Sequence, residues 1–163
     1  RKGDTKNAIP IIDSLIRDIP ENPYFWELKR QALLEGGAPA KALASLRQAN
    51  KLLPNSGLIQ ILYAQALIAT EDRANIKQAL NLLTLAKKTE RDSVDVYKYS
   101  ALAYGYLNDL PRAELATAEM AMMQGDTALA SEKAKRVIGQ FKHGSPEWMK
   151  ANDVLNFTSK ERN

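Results

Sequence analysis

Apolar residues recur every three or four positions along most of the chain, which is the spacing of one face of a helix. Short segments that contain Gly, Pro or an Asn-Asp pair interrupt this pattern, and such segments favour turns and helix ends. The pattern predicts an all-α protein with helices at residues 5–18, 22–35, 39–53, 56–70, 74–89, 93–107, 110–124, 127–141 and 146–157.

The helical pattern is itself repeated along the chain. Gly3 and Gly37 are separated by the same distance as Pro20 and Pro54, which is 34 residues. Between glycine and proline, small and aliphatic residues fall at matching offsets: Ala8, Ile12, Leu15 and then Ala42, Leu46, Ala49. We call this series of three small or aliphatic residues a ladder. The ladder recurs at Ala79, Leu83, Ala86, at Ala113, Thr117, Met120, and at Ala130, Ala134, Val137. A small residue lets two helices cross closely, and a period of about 34 residues is the tetratricopeptide signature.

The repeats predict how the chain is organised. We expect one domain over residues 1–163, a tetratricopeptide-like helical-repeat superhelix of about nine antiparallel helices. The predicted units are repeats at about 1–20, 21–54, 55–91 and 92–124, an overlapping repeat at 110–142, and a capping helix at 146–157. The chain opens with Arg-Lys-Gly-Asp and has no initiator Met, so we expect it to be part of a longer protein.

Composition argues against several functions. The net charge is +4, and residues 92–125 carry two basic and five acidic side chains, so we expect no nucleic-acid partner. The apolar stretch at residues 58–69 is too short to cross a membrane, and no transmembrane segment is expected. The chain has no Cys and one His, His143, so we predict no catalytic set, no metal site and no cofactor in this chain.

A basic face is predicted on the helix at 127–141, where Lys133, Arg136 and Lys142 share one side. We interpret it as a solvated face, with contact to anionic lipid or nucleic acid as the alternative.

In stacked helix pairs the first helix of each pair lines a concave surface that can hold a peptide. We take the same side of each of these helices, at equivalent repeat positions, as the groove face. The predicted groove residues are Tyr24, Glu27, Gln31, Glu35, Ile61, Gln65, Ile68, Lys98, Leu102, Tyr106, Leu115, Glu119 and Met122. Trp26 is expected in the core and Phe25 beside the neighbouring helix, while Tyr24 either faces the groove or packs at a repeat edge. Glu27 and Gln31 stand where carboxylate-binding repeats carry cations or Asn, so a chaperone tail is not the expected ligand.

Four stretches of the chain carry a family resemblance: NPYFWELKRQALLEGGAPAKALASLRQANKLLPNS, LIQILYAQALIAT, YKYSALAYGYLNDLPRAELATAEMAMMQGDTALASEKAKR and GSPEWMKANDVLNF. Together they resemble the C-terminal repeat region of bacterial periplasmic zinc metallopeptidases of the BepA/YfgC type. The resemblance covers nearly the whole chain, and its most specific parts are the half-repeat step at 110–124 and the SPEW helix. One departure is Arg30, because such repeats usually place Gly or another small residue there.

The resemblance implies a periplasmic protein with an N-terminal peptidase domain that carries a His-Glu-x-x-His zinc site. That motif is absent from this chain, and His143 inherits no ligand role. The implied function of the repeats is to bind partner or unfolded polypeptide, together with the peptidase domain of the same chain, in outer-membrane protein assembly or quality control. The alternative is a stand-alone adaptor or co-chaperone that has no peptidase domain.

Overall fold

The structure is a computed structural model that describes residues 5–160, and this part contains nine α-helices and no strand. The helices are α1 (Thr5–Asp18), α2 (Pro23–Glu35), α3 (Pro39–Leu52), α4 (Gly57–Ile68), α5 (Arg73–Ala86), α6 (Val94–Tyr106), α7 (Leu110–Met123), α8 (Thr127–Val137) and α9 (Pro146–Lys160). A 3₁₀ turn (Ile138–Gln140) follows α8, where the sequence predicted four further residues of helix. The all-α prediction is confirmed, while Gly3 and the start of the first predicted repeat lie outside the described residues.

Local side-chain caps explain where several helices begin. The Asn22 side chain accepts a hydrogen bond from the backbone N–H of Tyr24 at 3.0 Å, and the Ser145 hydroxyl accepts one from that of Trp148 at 3.2 Å. Asp72, Asp109 and Asp126 cap α5, α7 and α8 in the same way. Each cap satisfies an amide that has no partner inside its helix, so the helix start is encoded locally.

The turns between paired helices share one backbone feature. Gly37, Glu71, Asn108 and Gly125 all have positive φ, at 73°, 55°, 61° and 78°. Gly37, Asn108 and Gly125 each lie five residues before the first alanine of a sequence ladder, and Glu71 lies eight residues before Ala79. Only glycine adopts this conformation without steric cost, so Glu71 and Asn108 hold a less favourable backbone for the same turn.

The chain forms two compact units, unit 1 ending at Arg91 and unit 2 beginning at Asp92. In unit 1 each helix from α1 to α5 packs against the next, and α2 also contacts α4. In unit 2 each helix from α6 to α9 packs against the next, and α7 also contacts α9. Helix α7 therefore touches α6, α8 and α9.

The small residues of the ladders lie at most of these crossings. Ala42, Ala79 and Ala130 are at most 1% exposed. In α7 the buried side is not the side that carries the ladder. The ladder residues Ala113, Thr117 and Met120 are half-buried. The buried side chains are Leu115, Ala116, Ala118 and Ala121. Helix α7 has three neighbouring helices, so its buried face is wider than a single ladder and is centred elsewhere.

The three consecutive aromatics of α2 have three different environments. Trp26 is 2% exposed, Phe25 packs at the edge of the same core cluster, and Tyr24 is 64% exposed. The indole Nε1 of Trp26 donates to the carbonyl of Pro20 at 2.9 Å. One period later, Gln60 Nε2 donates to the carbonyl of Pro54 at 2.6 Å. The same repeat position therefore binds the helix-ending proline through two different side chains.

Candidate polypeptide-binding site

Unit 1 has a small apolar recess between α2, the start of α3 and α4, with a volume of about 110 Å³. We call it the Arg30 recess. Its lining residues are Arg30, Leu34, Pro39, Ala42, Gln65, Ala66 and Ala69. Arg30 and Gln65 supply its charged and amide groups, and the remaining side chains are aliphatic. The recess can therefore enclose an apolar group with a polar atom at its edge.

The recess lies where the repeat departs from its small-residue rule. Arg30 occupies the position that Ala64 occupies one period later, and Ala64 is fully buried. Arg30 is only half-buried, and its Nε has no hydrogen-bond partner among residues 5–160 although that atom is buried. A guanidinium is too long and too polar to be enclosed at a helix crossing as an alanine is. Its charge is therefore left at the edge of the recess.

The predicted groove residues of unit 1 divide into open and buried ones. Tyr24, Gln31 and Glu35 are exposed and Glu27 is half-buried, and Gln31 donates to Glu35 at 2.9 Å. Gln65 lines the Arg30 recess.

Two of the expected groove positions in α4 are not open. Ile61 and Ile68 are 6% and 2% exposed, so the expectation that they line an open surface is wrong for this conformation. The physical reason is that α4 is enclosed on most sides: nine of its twelve residues are buried, against three of thirteen in α2.

In unit 2 the predicted positions on α6 are open. Lys98, Leu102 and Tyr106 are exposed at successive four-residue steps, so they share one side of the helix. On α7, Glu119 and Met122 are half-buried, whereas Leu115 is 3% exposed and belongs to the core. Leu115 is therefore a further correction, and its cause is that it packs in a core cluster with Val137 and Ala151.

Sequence reasoning did not identify Arg30, Leu34, Ala66 and Ala69 as site residues. On both α2 and α4 they lie about one residue, or 100° of helix rotation, from the predicted face. Arg30 was the available signal, because it is a long cation at a position that otherwise holds a small residue. A long cation cannot pack at a helix crossing as a small residue does, so its presence there predicts either a cavity or an unpaired charge.

A charged cluster in unit 2 joins the start of α7 to the start of α9. Arg112 binds Asp109 at 2.7 Å and Glu147 at 2.9 Å. The pKa of the Glu147 carboxyl is lowered, first by a hydrogen bond from its own backbone N–H and then by Arg112. Burial raises the pKa of the nearby Tyr104 phenol. Because these charges pair with one another, we interpret the cluster as an ion-pair network that fixes the start of α7 against the start of α9.

The basic face of α8 is largely neutralised within the chain. Lys133 binds Glu114 at 3.0 Å, while Arg136 binds Glu114 at 3.3 Å and Glu132 at 2.7 Å. Lys142 is exposed. The pairing favours the interpretation of this face as a solvated surface.

Residues 5–160 contain no group of three or more His, Cys, Asp or Glu side chains placed to hold a metal ion. Within the same residues, every helix is too short or too polar to cross a bilayer.

Comparison with known proteins identifies the architecture. No protein-family model matches the chain, and no curated protein sequence matches it. The crystal structure of MamA superposes with a TM-score of 0.65 at 16% identity, covering 99% of this chain and 90% of that one. TTC0263, a thermophilic TPR protein of Thermus thermophilus, superposes with a TM-score of 0.53 at 17% identity, covering 94% and 92%. The fold is a tetratricopeptide-like helical repeat. At these identities the likeness concerns the fold alone, and the tetratricopeptide-like units provide helix surfaces whose specificity depends on their own side chains.

Proposed function

We propose that this tetratricopeptide-like chain is a protein-interaction module in which the Arg30 recess receives an apolar side chain of a bound polypeptide. The observation that carries the proposal is the aliphatic lining contributed by Leu34, Ala42, Ala66 and Ala69. Leu34 remains 44% exposed, so an apolar ligand group would remove further apolar surface from water.

The size of the recess favours a side chain over a small-molecule ligand. Its volume is about 110 Å³. Pockets for small ligands usually measure roughly 300–1,000 Å³, and a dry cavity of about 150 Å³ is enough to bind one benzene. An aliphatic side chain such as that of Leu, Ile or Met is of the right size, and the rest of its polypeptide would lie along the exposed face of α2.

We further propose that the module works in the periplasm beside a zinc peptidase domain, in outer-membrane protein assembly or quality control. The support is the resemblance carried by the repeat segments and the terminal SPEW helix. In this proposal the chain itself is not an enzyme and holds no cofactor, since zinc belongs to the peptidase domain. A His-Glu-x-x-His helix encoded upstream of Arg1 would support the peptidase context. An initiator Met within a few codons of Arg1 would contradict it.

The binding proposal is tested with a displayed library of linear twelve-residue peptides, selected on the 163-residue chain. Ala69 is exposed and lines the recess, so Ala69→Phe should fill the recess at little cost in folding. Ala44→Phe is the matched control, because Ala44 is exposed on α3 and is not a lining residue.

We expect the selected peptides to share a Leu, Ile or Met, and their affinity to fall at least about tenfold in Ala69→Phe, which corresponds to about 1.4 kcal/mol. Ala44→Phe should bind like the wild type. If no peptide is enriched, or if the selected peptides bind both variants equally, the proposed function is wrong.

A further inference from the structure

The guanidinium of Arg30 lines the Arg30 recess without an acidic partner in residues 5–160. Its Nε is buried without a hydrogen-bond partner, and no ion pair joins Arg30 to an acidic side chain in residues 5–160. The adjacent cation, Lys29, is paired with Asp13 at 2.8 Å. Only Nε of the guanidinium is both buried and unpaired, and the side chain as a whole is half-buried, so a ligand acceptor would reach the charge through the terminal nitrogens at the edge of the recess.

The chemistry of the acceptor follows from the guanidinium. A planar fork of N–H donors matches the two oxygens of a carboxylate, and such charge-assisted pairs are short and strong. A neutral carbonyl would satisfy one donor but not the charge. A carboxylate therefore complements Arg30 better than an amide does.

The acidic side chains of α2 favour a ligand with a single negative group. Glu27 lies three residues before Arg30 on α2, and Glu35 lies five residues after it. Glu35 already accepts a hydrogen bond from Gln31. Because the recess offers one cation and α2 carries two acids near it in sequence, a second negative charge on the ligand would meet like charge rather than a partner.

We propose, resting on the proposed function, that the recess recognises an internal polypeptide segment in which an apolar side chain adjoins one Asp or Glu. The apolar side chain fills the aliphatic part of the recess, and the neighbouring carboxylate pairs with Arg30. The Gln65 amide, which also lines the recess, would bond the backbone of the segment. The partner is thus a polypeptide with a single acidic residue next to Leu, Ile or Met, held by its side chains rather than by its C-terminus.

The test uses the same displayed library, with its peptides fused at both ends so that no free carboxyl terminus is present. We expect Asp or Glu to be enriched beside the apolar anchor in selections on the wild type and not on Arg30→Met. Replacing that acid by its amide in one selected peptide should weaken binding to the wild type about tenfold, as expected for loss of one charge-assisted contact. The same replacement should change binding to Arg30→Met by less than about twofold.

Two controls separate recognition from folding. Arg17→Met removes an exposed cation on α1 and should leave the discrimination between acid and amide intact. Arg30→Lys should keep part of it, because the charge is retained but the fork is lost. Since Arg30 has no partner in the fold, Arg30→Met should melt no earlier than the wild type, whereas a purely structural role would lower its melting temperature.

Several results would overturn the inference while leaving the proposed function in place. One is a set of selected peptides with an apolar anchor but no enriched acid, still blocked by Ala69→Phe. A second is discrimination between acid and amide that persists in Arg30→Met. A third is tighter, Arg30-dependent binding of a peptide whose only carboxylate is its free C-terminus.

Discussion

The hydrogen bond between Trp26 and Pro20 ties the first core aromatic of α2 to the end of α1, and its removal can be measured directly. Trp26→Phe keeps an aromatic ring but deletes the donor that lies 2.9 Å from the Pro20 carbonyl. The lost hydrogen bond is worth about 1 kcal/mol, and more if the carbonyl finds no other donor. The shorter ring leaves space in a site that is 2% exposed, which adds about 1 kcal/mol.

We therefore expect Trp26→Phe to lower the free energy of unfolding by about 2–3 kcal/mol, which is a fall of roughly 5–10 °C in melting temperature. Urea denaturation followed by far-ultraviolet circular dichroism measures the change. Trp148→Phe is the matched control, because Trp148 is half-buried and its indole N–H has no hydrogen-bond partner within the described residues. Its ring contacts His143 with centroids 4.2 Å apart, and we expect a loss of about 1 kcal/mol or less. Equal losses in the two variants would refute the role assigned to the Trp26 donor.

Two further predictions concern the turns and the charged cluster. Gly37→Ala should destabilise the chain by about 1–2 kcal/mol, since a Cβ there has open space and the cost is that of a positive φ alone. Gly139→Ala, also in open space but without a positive φ, should be neutral or slightly stabilising in the same urea titration, and equal effects would contradict the backbone argument. Glu147→Gln should cost up to about 1 kcal/mol at pH 7, as expected for a partly exposed ion pair. Because the pKa of Glu147 is lowered on folding, its contribution is complete above the ordinary value of 4.5 and is lost as the pH falls through the folded value, so wild type and variant should converge in acid. A difference between wild type and variant that does not shrink at all as the pH falls below 4.5 would contradict this linkage.

The candidate site shows where helical periodicity stops being informative. Gln65 was predicted as a site residue and lines the Arg30 recess, whereas Ile61 and Ile68, on the same helix, are buried. A single phase assumes that every first helix of a pair buries the same share of its surface. Helix α4 buries nine of its twelve residues whereas α2 buries three of thirteen, and the accessible strip of α4 lies nearer Ala66 and Ala69.

The limits of the helices and the position of the turns were readable from the amino-acid sequence, because both depend on residues close together in the chain. Examples are the helix cap at Asn22, the turn at Gly37 and the burial of Trp26. Each of them depends on contacts or spacings within a few residues of the chain. Which faces remain open was decided only by the tertiary structure. Burial depends on how the helices pack around a position, and the Arg30 recess exists because the three consecutive helices α2, α3 and α4 meet around a side chain too long to be enclosed.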